Sequence, residues 1–250
     1  MKSLPVESLV QIKKVGPFQL AHVFLPHLAH HLTGGGLEAL AARFLGKAEL
    51  IRLRGFSSEK RRLEWLGGRL AAKAAVAACL GEGEWPARTL EILAEPGGRP
   101  YVVGGRDAMP DISVSHSGSL AVAMAADSPC GIDVQEVRQT LIRVADRFAD
   151  QQERELLAAY LGSAWPAARR LALLWSAKEA VRKMIALEPL LGFNEMALAE
   201  IRGAGTPGAP IAMQLFCRRG NDGPCRVEVL AVAEDDYLLA LTRLDFNQME

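Results

Sequence analysis

Along the chain the spacing of apolar residues switches between two periods, and the switches mark the elements. Phe18–Leu25 alternates loosely and predicts a strand that Pro26 ends. A helix is expected around Leu37–Leu45. A longer one is expected from Ser58 to Leu80, where Leu63, Leu66, Leu70, Ala74 and Ala77 fall at helix-face spacing. Ser57 or Ser58 offers an N-cap oxygen and Gly81 a stop. Strands follow at Thr89–Leu93 and Pro100–Val103 around a Pro96-Gly97-Gly98 turn, and Asp111–Asp127 reads as a hairpin bending near Ser117-Gly118. A similar order then recurs. Gly131–Val137 is a short strand, and helices are expected at Asp150–Leu161, with Asp150 as N-cap, and at Ala167–Ile185. Arg202–Pro210, rich in Gly and Pro, reads as a loop, and Arg226–Ala233 with Tyr237–Leu244 as a closing hairpin around Glu234-Asp235-Asp236.

The two long helices share letters. Ala71-Ala72-Lys73-Ala74-Ala75-Val76 aligns with Ser176-Ala177-Lys178-Glu179-Ala180-Val181 at four positions. Alone this is weak, because Ala-Lys helices are common. With the repeated order of elements it predicts two related halves, residues 1–128 and 129–250, joined near Ser128-Pro129. Ala74 stands where the second half has Glu179, so one active site is expected rather than two.

Bulk composition narrows the partners. The 250 residues are 50% hydrophobic and 23% charged, enough for one large core or two small ones. Lys+Arg and Asp+Glu both number 29, so no global field gathers nucleic acid or an anionic membrane, and neither is an expected partner. Any anion must be held by a local basic cluster. Met1–Lys14 shows no continuous apolar stretch of the kind a secretory signal needs, and no apolar run of about 18 residues predicts a membrane span. Cys79, Cys130, Cys217 and Cys225 are scattered, which argues against a disulfide framework or a thiolate zinc site. The expected compartment is the cytoplasm.

Two segments could carry chemistry. On the strand Gly131-Ile132-Asp133-Val134-Gln135, alternation puts Asp133 and Gln135 on one face and Glu136 on the other. The apolar approach to Asp133 suggests a partly buried carboxylate, which needs a cation, a metal or several donors. From the strand alone, the simpler reading is a strand-end acid capping a turn. On the later helix, Trp175, Glu179 and Lys183 are four apart and share a face, with Lys178 and Arg182 on a neighbouring stripe. A Glu with Lys four residues on is most simply a surface ion pair worth about 0.3–0.5 kcal/mol. Trp175 on the same face argues for partial burial, and Arg169, Arg170, Lys178, Arg182 and Lys183 together suggest an anion such as phosphate. Taken together, the carboxylates suit Mg²⁺, one of them can take a proton, and a lysine can neutralise a leaving phosphate. Those are the parts of a phosphoryl-type transfer.

The Gly131–Val134 strand and the Trp175–Lys183 helix, about 45 residues apart, resemble the two signature motifs of the 4′-phosphopantetheinyl transferases. Arg62–Arg69 is similar to that family's first motif helix, Gly98-Arg99-Pro100-Tyr101 to its Gly-Lys/Arg-Pro turn, and Ser113–Gly118 to its Ser-His-Ser motif. The resemblance runs from roughly Phe44 to Leu191, and the order of five motifs is more specific than any one of them. The length resembles that of the larger two-lobed, monomeric type, often called Sfp-type. It implies an α+β fold of two pseudo-two-fold related lobes, each a small antiparallel sheet packed on a long helix. It implies, too, a reaction: the 4′-phosphopantetheine arm of coenzyme A moves to a serine of an apo acyl or peptidyl carrier protein, leaving 3′,5′-ADP. Carried over by position, Asp133 and Glu179 would bind Mg²⁺, Glu179 would be the base for the carrier serine, and Lys183 would stabilise the pyrophosphate and leaving phosphate. Arg62, Arg69, Arg99 and His116 would hold the nucleotide end and its phosphates, with Lys178 a further phosphate contact and Ser115 either positioning His116 or binding phosphate itself. Neighbouring Arg61 could take the role of Arg62 or Arg69. Many members carry a second acid where this chain has Gln135, which is expected to act through a metal-bound water or not at all; a bulge would be needed to turn Glu136 inward.

Other features read more blandly. His27, His30 and His31 have a spacing that could hold zinc on a helix, but a surface cluster is the simpler reading. Outside its motif, His116 would be an ordinary hairpin histidine. Gly34-Gly35-Gly36 reads as a flexible turn, since no Lys-Ser/Thr follows as in a phosphate loop. Two alternatives stand beside the transferase: a non-catalytic coenzyme A or carrier-binding protein of the same fold, and a different Mg²⁺-dependent phosphohydrolase.

Overall fold

The structure, a computed structural model, describes residues 9–32, 36–82, 90–104, 108–186, 190–203, 209–219 and 222–244. Thr89, Gly34 and Gly35, named above, lie outside these residues, as do residues 1–8 and most of the loop expected at 202–210. The chain divides into two units, Met1–Asp127 and Ser128–Glu250. Both are mixed α and β, with antiparallel sheets.

The first unit begins with β1 (Gln11–Val15), β2 (Phe18–Phe24), α1 (Leu25–His31), α2 (Gly36–Phe44), α3 (Lys47–Arg54) and α4 (Glu59–Cys79). It continues with β3 (Glu91–Ala94), β4 (Pro100–Val103), β5 (Asp111–Ser117) and β6 (Leu120–Ala126). The sheet order is β1-β2-β6-β5, with β3-β4 a separate pair. The strand at Phe18 stops before Pro26 as expected, and the proline also opens a short helix that the spacing does not predict. It sits in the first turn of α1, where its missing N–H has no intrahelical partner to lose. Ser58 caps helix α4, its Oγ accepting from Arg61 N at 3.5 Å. Two residues past the end of the helix, Gly81 turns the chain at φ +68°, and Glu82 N donates to Ala77 O at 2.9 Å. α4 packs on β2, β5 and β6 through small residues. A β-carbon on Gly67 would lie 2.5 Å from Leu25 Cδ2.

The second unit runs β7 (Cys130–Glu136), α5 (Thr140–Arg143), α6 (Gln151–Leu161), α7 (Ala167–Ile185), β8 (Met196–Arg202), β9 (Ile211–Arg219), β10 (Asp222–Glu234) and β11 (Tyr237–Arg243). Its sheet order is β7-β11-β10-β9-β8, and α7 packs on β7, β10 and β11. The approach is tightest at Gly131, where a β-carbon would lie 1.9 Å from Ala180 O. Strands β8 and β9 are absent from the sequence expectation. Their alternation was there to read: Ile211, Met213, Leu215 and Cys217 are all buried.

Past the extra strand β1, the two units share an order of elements: a strand, two or three shorter helices, a long helix, then two hairpins. Two independent alignments make the repeat residue by residue. The last hairpin of each unit has a two-residue loop, Gly118-Ser119 or Asp235-Asp236, whose first residue has positive φ (56° and 48°). Three residues past the start of the following strand, Ala123 pairs with Ala21 and Ala240 pairs with Asp133. Ala21 therefore occupies the place of Asp133.

The helices align through a buried clamp. Lys73 of α4 reaches Glu49 Oε2 at 2.7 Å, Phe44 O at 2.7 Å and Leu90 O at 2.5 Å. Glu49 also accepts from Gly46 N and from Ile92 N, so it caps α3 and pins β3. Lys178 of α7 reaches Glu153 Oε2 at 2.8 Å, Phe148 O at 2.8 Å and Phe193 O at 3.3 Å. Glu153 accepts from Asp150 N and Leu198 N, capping α6 and pinning β8. With Lys73 matched to Lys178, Ala74 takes the place of Glu179 and Ala78 that of Lys183.

Candidate active site

Strand β7 and helix α7 are brought together where Gly131 removes a side chain between them. Asp133 lies two residues on, on the same face of the strand. Its β11 neighbour is Ala240, small enough to leave the carboxylate room. Lys183 meets Asp133 from the last turns of α7: Nζ lies 2.7 Å from Oδ1 and donates to Ile132 O at 3.1 Å. The Asp133 side chain is 8% exposed and that of Lys183 29%. This is a half-buried, charge-assisted pair rather than a surface one, so desolvation strengthens its Coulomb attraction while raising the cost of removing one partner.

Glu179, one turn before Lys183, accepts from Arg182 Nη1 at 2.5 Å. Arg182 is itself fixed, its Nε donating to Leu191 O at 2.8 Å and its guanidinium lying 4.7 Å over the Phe193 ring. Trp175 packs between Phe148 and Phe193, with ring centroids 5.0 and 4.9 Å away. The face bearing Trp175, Glu179 and Lys183 is thus aromatic at one end and ionic at the other.

Gln135 shares the Asp133 face, and its Nε2 donates to Glu136 O at 2.8 Å. The β7–β11 register is regular from Cys130 to Glu136, so no bulge turns Glu136 inward. Glu136 instead accepts from Arg138.

Lys178 is a correction to the sequence expectation. It is 1% exposed and its ammonium is taken up by Glu153 and two main-chain carbonyls, so it holds the core together and presents no donor to a phosphate.

The other expected contacts belong to the first unit. Arg62 and Arg69 lie two turns apart on one face of α4. Arg62 Nε donates to Phe56 O at 2.7 Å. Arg69 lies 4.6 Å over the Trp65 ring, with no hydrogen-bond partner for Nε among the described residues. Burial, partly offset by Glu49, brings the Arg69 guanidinium down to about 10. Arg61, the alternative, is exposed and off that face. His116 Nε2 lies 3.6 Å from Glu64 of α4, which places it beside the same helix, and Ser115 is buried next to it. Arg99 grips both oxygens of Asp111 at 2.9 Å. Asp111 and His116 stand at opposite ends of β5, about 17 Å apart by strand rise, so Arg99 and His116 are anchored at different ends of one strand.

Among the described residues no group of three or more His, Cys, Asp or Glu could cage a metal. The donors present suit a narrower role. Asp133 and Glu179 each carry a cationic partner, Lys183 or Arg182, and present hard oxygen ligands of the kind Mg²⁺ takes when it keeps its waters and binds substrate phosphates. The residues therefore fit a metal that arrives with phosphate, and do not fit one enclosed wholly by protein.

Sequence reasoning missed Glu153, and placed Arg182 in the basic stripe without its role in holding Glu179. The spacing Asp150-x-x-Glu153 is a capping-box signal that could have flagged Glu153, whereas Arg182 on Glu179 was visible as a three-apart pair but was set aside with the basic stripe.

Residues 129–242 match a family model described as the 4′-phosphopantetheinyl transferase superfamily. A holo-[acyl-carrier-protein] synthase of Halalkalibacterium halodurans is 41% identical over 69 residues, 26% of this chain and 58% of that relative. One from Streptococcus agalactiae is 35% identical over 92 residues, 34% of this chain and 75% of the relative. The chain thus spans less than two thirds of the first of these and three quarters of the second. Among solved structures, a holo-(acyl-carrier-protein) synthase of Bacillus anthracis in complex with CoA (3′,5′-ADP) is similar at 23% identity and a TM-score of 0.38, over 43% of this chain and 93% of that one.

Proposed function

The chain belongs to the 4′-phosphopantetheinyl transferase superfamily, and from that membership we propose that it moves the 4′-phosphopantetheine group of coenzyme A to a serine of an apo acyl or peptidyl carrier protein, giving holo carrier and 3′,5′-ADP. The observation that carries this reading is the meeting of Lys183 with Asp133: two motifs far apart in sequence converge on one ion pair, with Glu179 one turn away on the same helix face. The repeated plan of the two units supports the two-lobed, monomeric type. Among the described residues no helix is long and apolar enough to cross a membrane, and a cytoplasmic enzyme is the reading we adopt.

Asp133 and Glu179 are the residues that would hold Mg²⁺, with Gln135 reaching it through water. When bound, the ion supplies positive charge to the coenzyme A pyrophosphate. Glu179 takes the proton of the carrier serine, directly or through water, as the hydroxyl oxygen attacks the phosphorus attached to the pantetheine arm. The bond to the 3′,5′-ADP oxygen breaks, and Lys183 donates to the phosphate that leaves. Arg182 keeps the Glu179 carboxylate oriented. By the family resemblance, Arg62, Arg69, Arg99, Ser115 and His116 remain the first unit's candidates for the nucleotide end and its phosphates. A carrier with an acidic helix beside its serine would suit the segment after β7, where Arg138, Arg143 and Arg147 are exposed alongside Ile142.

The test is to incubate the protein, Mg²⁺ and a fluorescent coenzyme A analogue with a panel of apo carriers. Label on a carrier serine is expected, lost in Glu179→Ala. Unlabelled carriers with release of free phosphopantetheine would point to a hydrolase. Carrier or coenzyme A binding that is unaffected by Glu179→Ala and yields no product would point to a non-catalytic binding protein.

A further inference from the structure

Cys217 of β9 and Cys225 of β10 are directly opposed in the antiparallel ladder. Such partners have Cα atoms about 4.5–5.5 Å apart, inside the roughly 4.4–6.8 Å window that a disulfide spans. Their side chains also share a face, because directly opposed residues point the same way. Cys217 is fully buried, with Met196 of β8 as its other cross-strand neighbour, while Cys225 is exposed. A small reagent therefore meets Cys225 first. We propose that Cys217 and Cys225 form a redox-modification site, a cross-strand dithiol that a low-molecular-weight disulfide converts into an intrachain disulfide.

The steps balance. The Cys225 thiol loses its proton to solvent and its sulfur attacks one sulfur of the small disulfide. A mixed disulfide forms and one small thiolate leaves. Cys217 then attacks the Cys225 sulfur as its proton passes to the departing small sulfur, and the second small thiol leaves. The two protein thiols are oxidised to one disulfide, and the reagent is reduced to two thiols. In the reduced state burial, and then the neighbouring Cys225 thiol, push the Cys217 thiol up to about 12. That keeps Cys217 protonated until Cys225 has reacted. The mixed disulfide removes the Cys225 part of this effect and places an electrophilic sulfur beside Cys217, so closure follows from proximity. Cys130, buried opposite Arg243, and Cys79, in α4 of the other unit, serve as internal controls.

The full chain, reduced and then exposed to oxidised glutathione, is quenched with N-ethylmaleimide and read by mass spectrometry. Arg218 and Arg219 lie between the two cysteines, so trypsin separates them unless a disulfide joins the peptides. The expected product has lost two hydrogens, has two of its four cysteines protected from alkylation, and yields a linked pair of peptides carrying Cys217 and Cys225. Cys217→Ser should stop at a stable glutathione adduct on Cys225, with Cys217→Ala as the substitute if a buried hydroxyl unfolds the chain. Glutathione persisting on Cys225 of the parent chain, or linkage found only between different molecules, would overturn the proposal.

Discussion

Replacing Lys178 by Met separates a core clamp from a phosphate ligand. Methionine keeps the length and apolar bulk of the lysine stem, so the change acts mainly on the charge. Glu153 would keep its hydrogen bonds from Asp150 N and Leu198 N but lose the ammonium, while Phe148 O and Phe193 O lose a donor. Removing one member of a buried ion pair costs about 3–5 kcal/mol. At about 2.1 cal/mol/K per residue, the unfolding entropy of all 250 residues is about 0.5 kcal/mol/K, so the midpoint should fall by about 6–10 °C. If Ser128–Glu250 melts alone, with half the entropy, the fall is roughly twice as large. Calorimetry at pH 7 reads this directly. Lys178→Met with Glu153→Gln should recover part of the loss, because no uncompensated buried charge remains and the amide oxygen can still accept from a main-chain N–H. A Lys178→Met protein that melts within about 1 °C of the parent, yet needs far more coenzyme A for half-maximal transfer, would refute the clamp and restore the phosphate contact.

Gly131→Ala forces a β-carbon into the Ala180 carbonyl and should cost about 3 kcal/mol or more, with transfer falling as Lys183 and Glu179 move off Asp133; a melting midpoint equal to the parent's would contradict the close approach. Lys183→Met should abolish labelling and cost about 1.5–3 kcal/mol in denaturant unfolding, since Asp133 stays buried without its cation; full labelling activity would count against its role. Glu179→Gln should abolish labelling while shifting stability by less than about 1 kcal/mol, because its partner Arg182 keeps Leu191 O and the Phe193 ring. His31 is held below its ordinary 6.5 by desolvation, then by repulsion from His27 and His30. The unfolded chain therefore binds the proton first, and stability declines as pH falls below 6.5. His27→Gln with His30→Gln should raise the His31 titration midpoint in NMR and flatten that decline, and an unmoved midpoint would show that the ring cluster is not the cause.

Most of the candidate site was legible because its signals are local. Alternation put Asp133 and Gln135 on one face, and helical spacing put Trp175, Glu179 and Lys183 on another. Neither period could say that strand and helix touch at Gly131; chemistry and the family resemblance join Asp133, Glu179 and Lys183, but the direct Asp133–Lys183 ion pair is legible only in the structure. Lys178 was misread for the same reason: helical spacing groups it with Arg182 on a basic stripe, and its partner Glu153 comes from another helix. Pro26 ends the strand as its sequence position implies; that it also opens a short helix is not legible, because a proline ends a strand and starts a helix equally well. β8 and β9 were passed over because the Gly- and Pro-rich run between them drew the reading toward loop. The letters shared by Ala71–Val76 and Ser176–Val181 were weak evidence alone. They gained force once Lys73 and Lys178 proved to make the same contacts, each to a helix-capping glutamate and two carbonyls.

That clamp and the catalytic candidates occupy adjacent positions on the same helix yet answer to different demands. In the first unit the lysine and its glutamate are present, while Ala21, Ala74 and Ala78 stand where the second unit has Asp133, Glu179 and Lys183. The clamp thus recurs in both units and the candidate chemistry in one. Drift at three exchangeable positions can therefore silence such a unit without unfolding it. A census of relatives keyed to the buried lysine would gather competent and inert copies alike, whereas the acid immediately after it would sort one from the other.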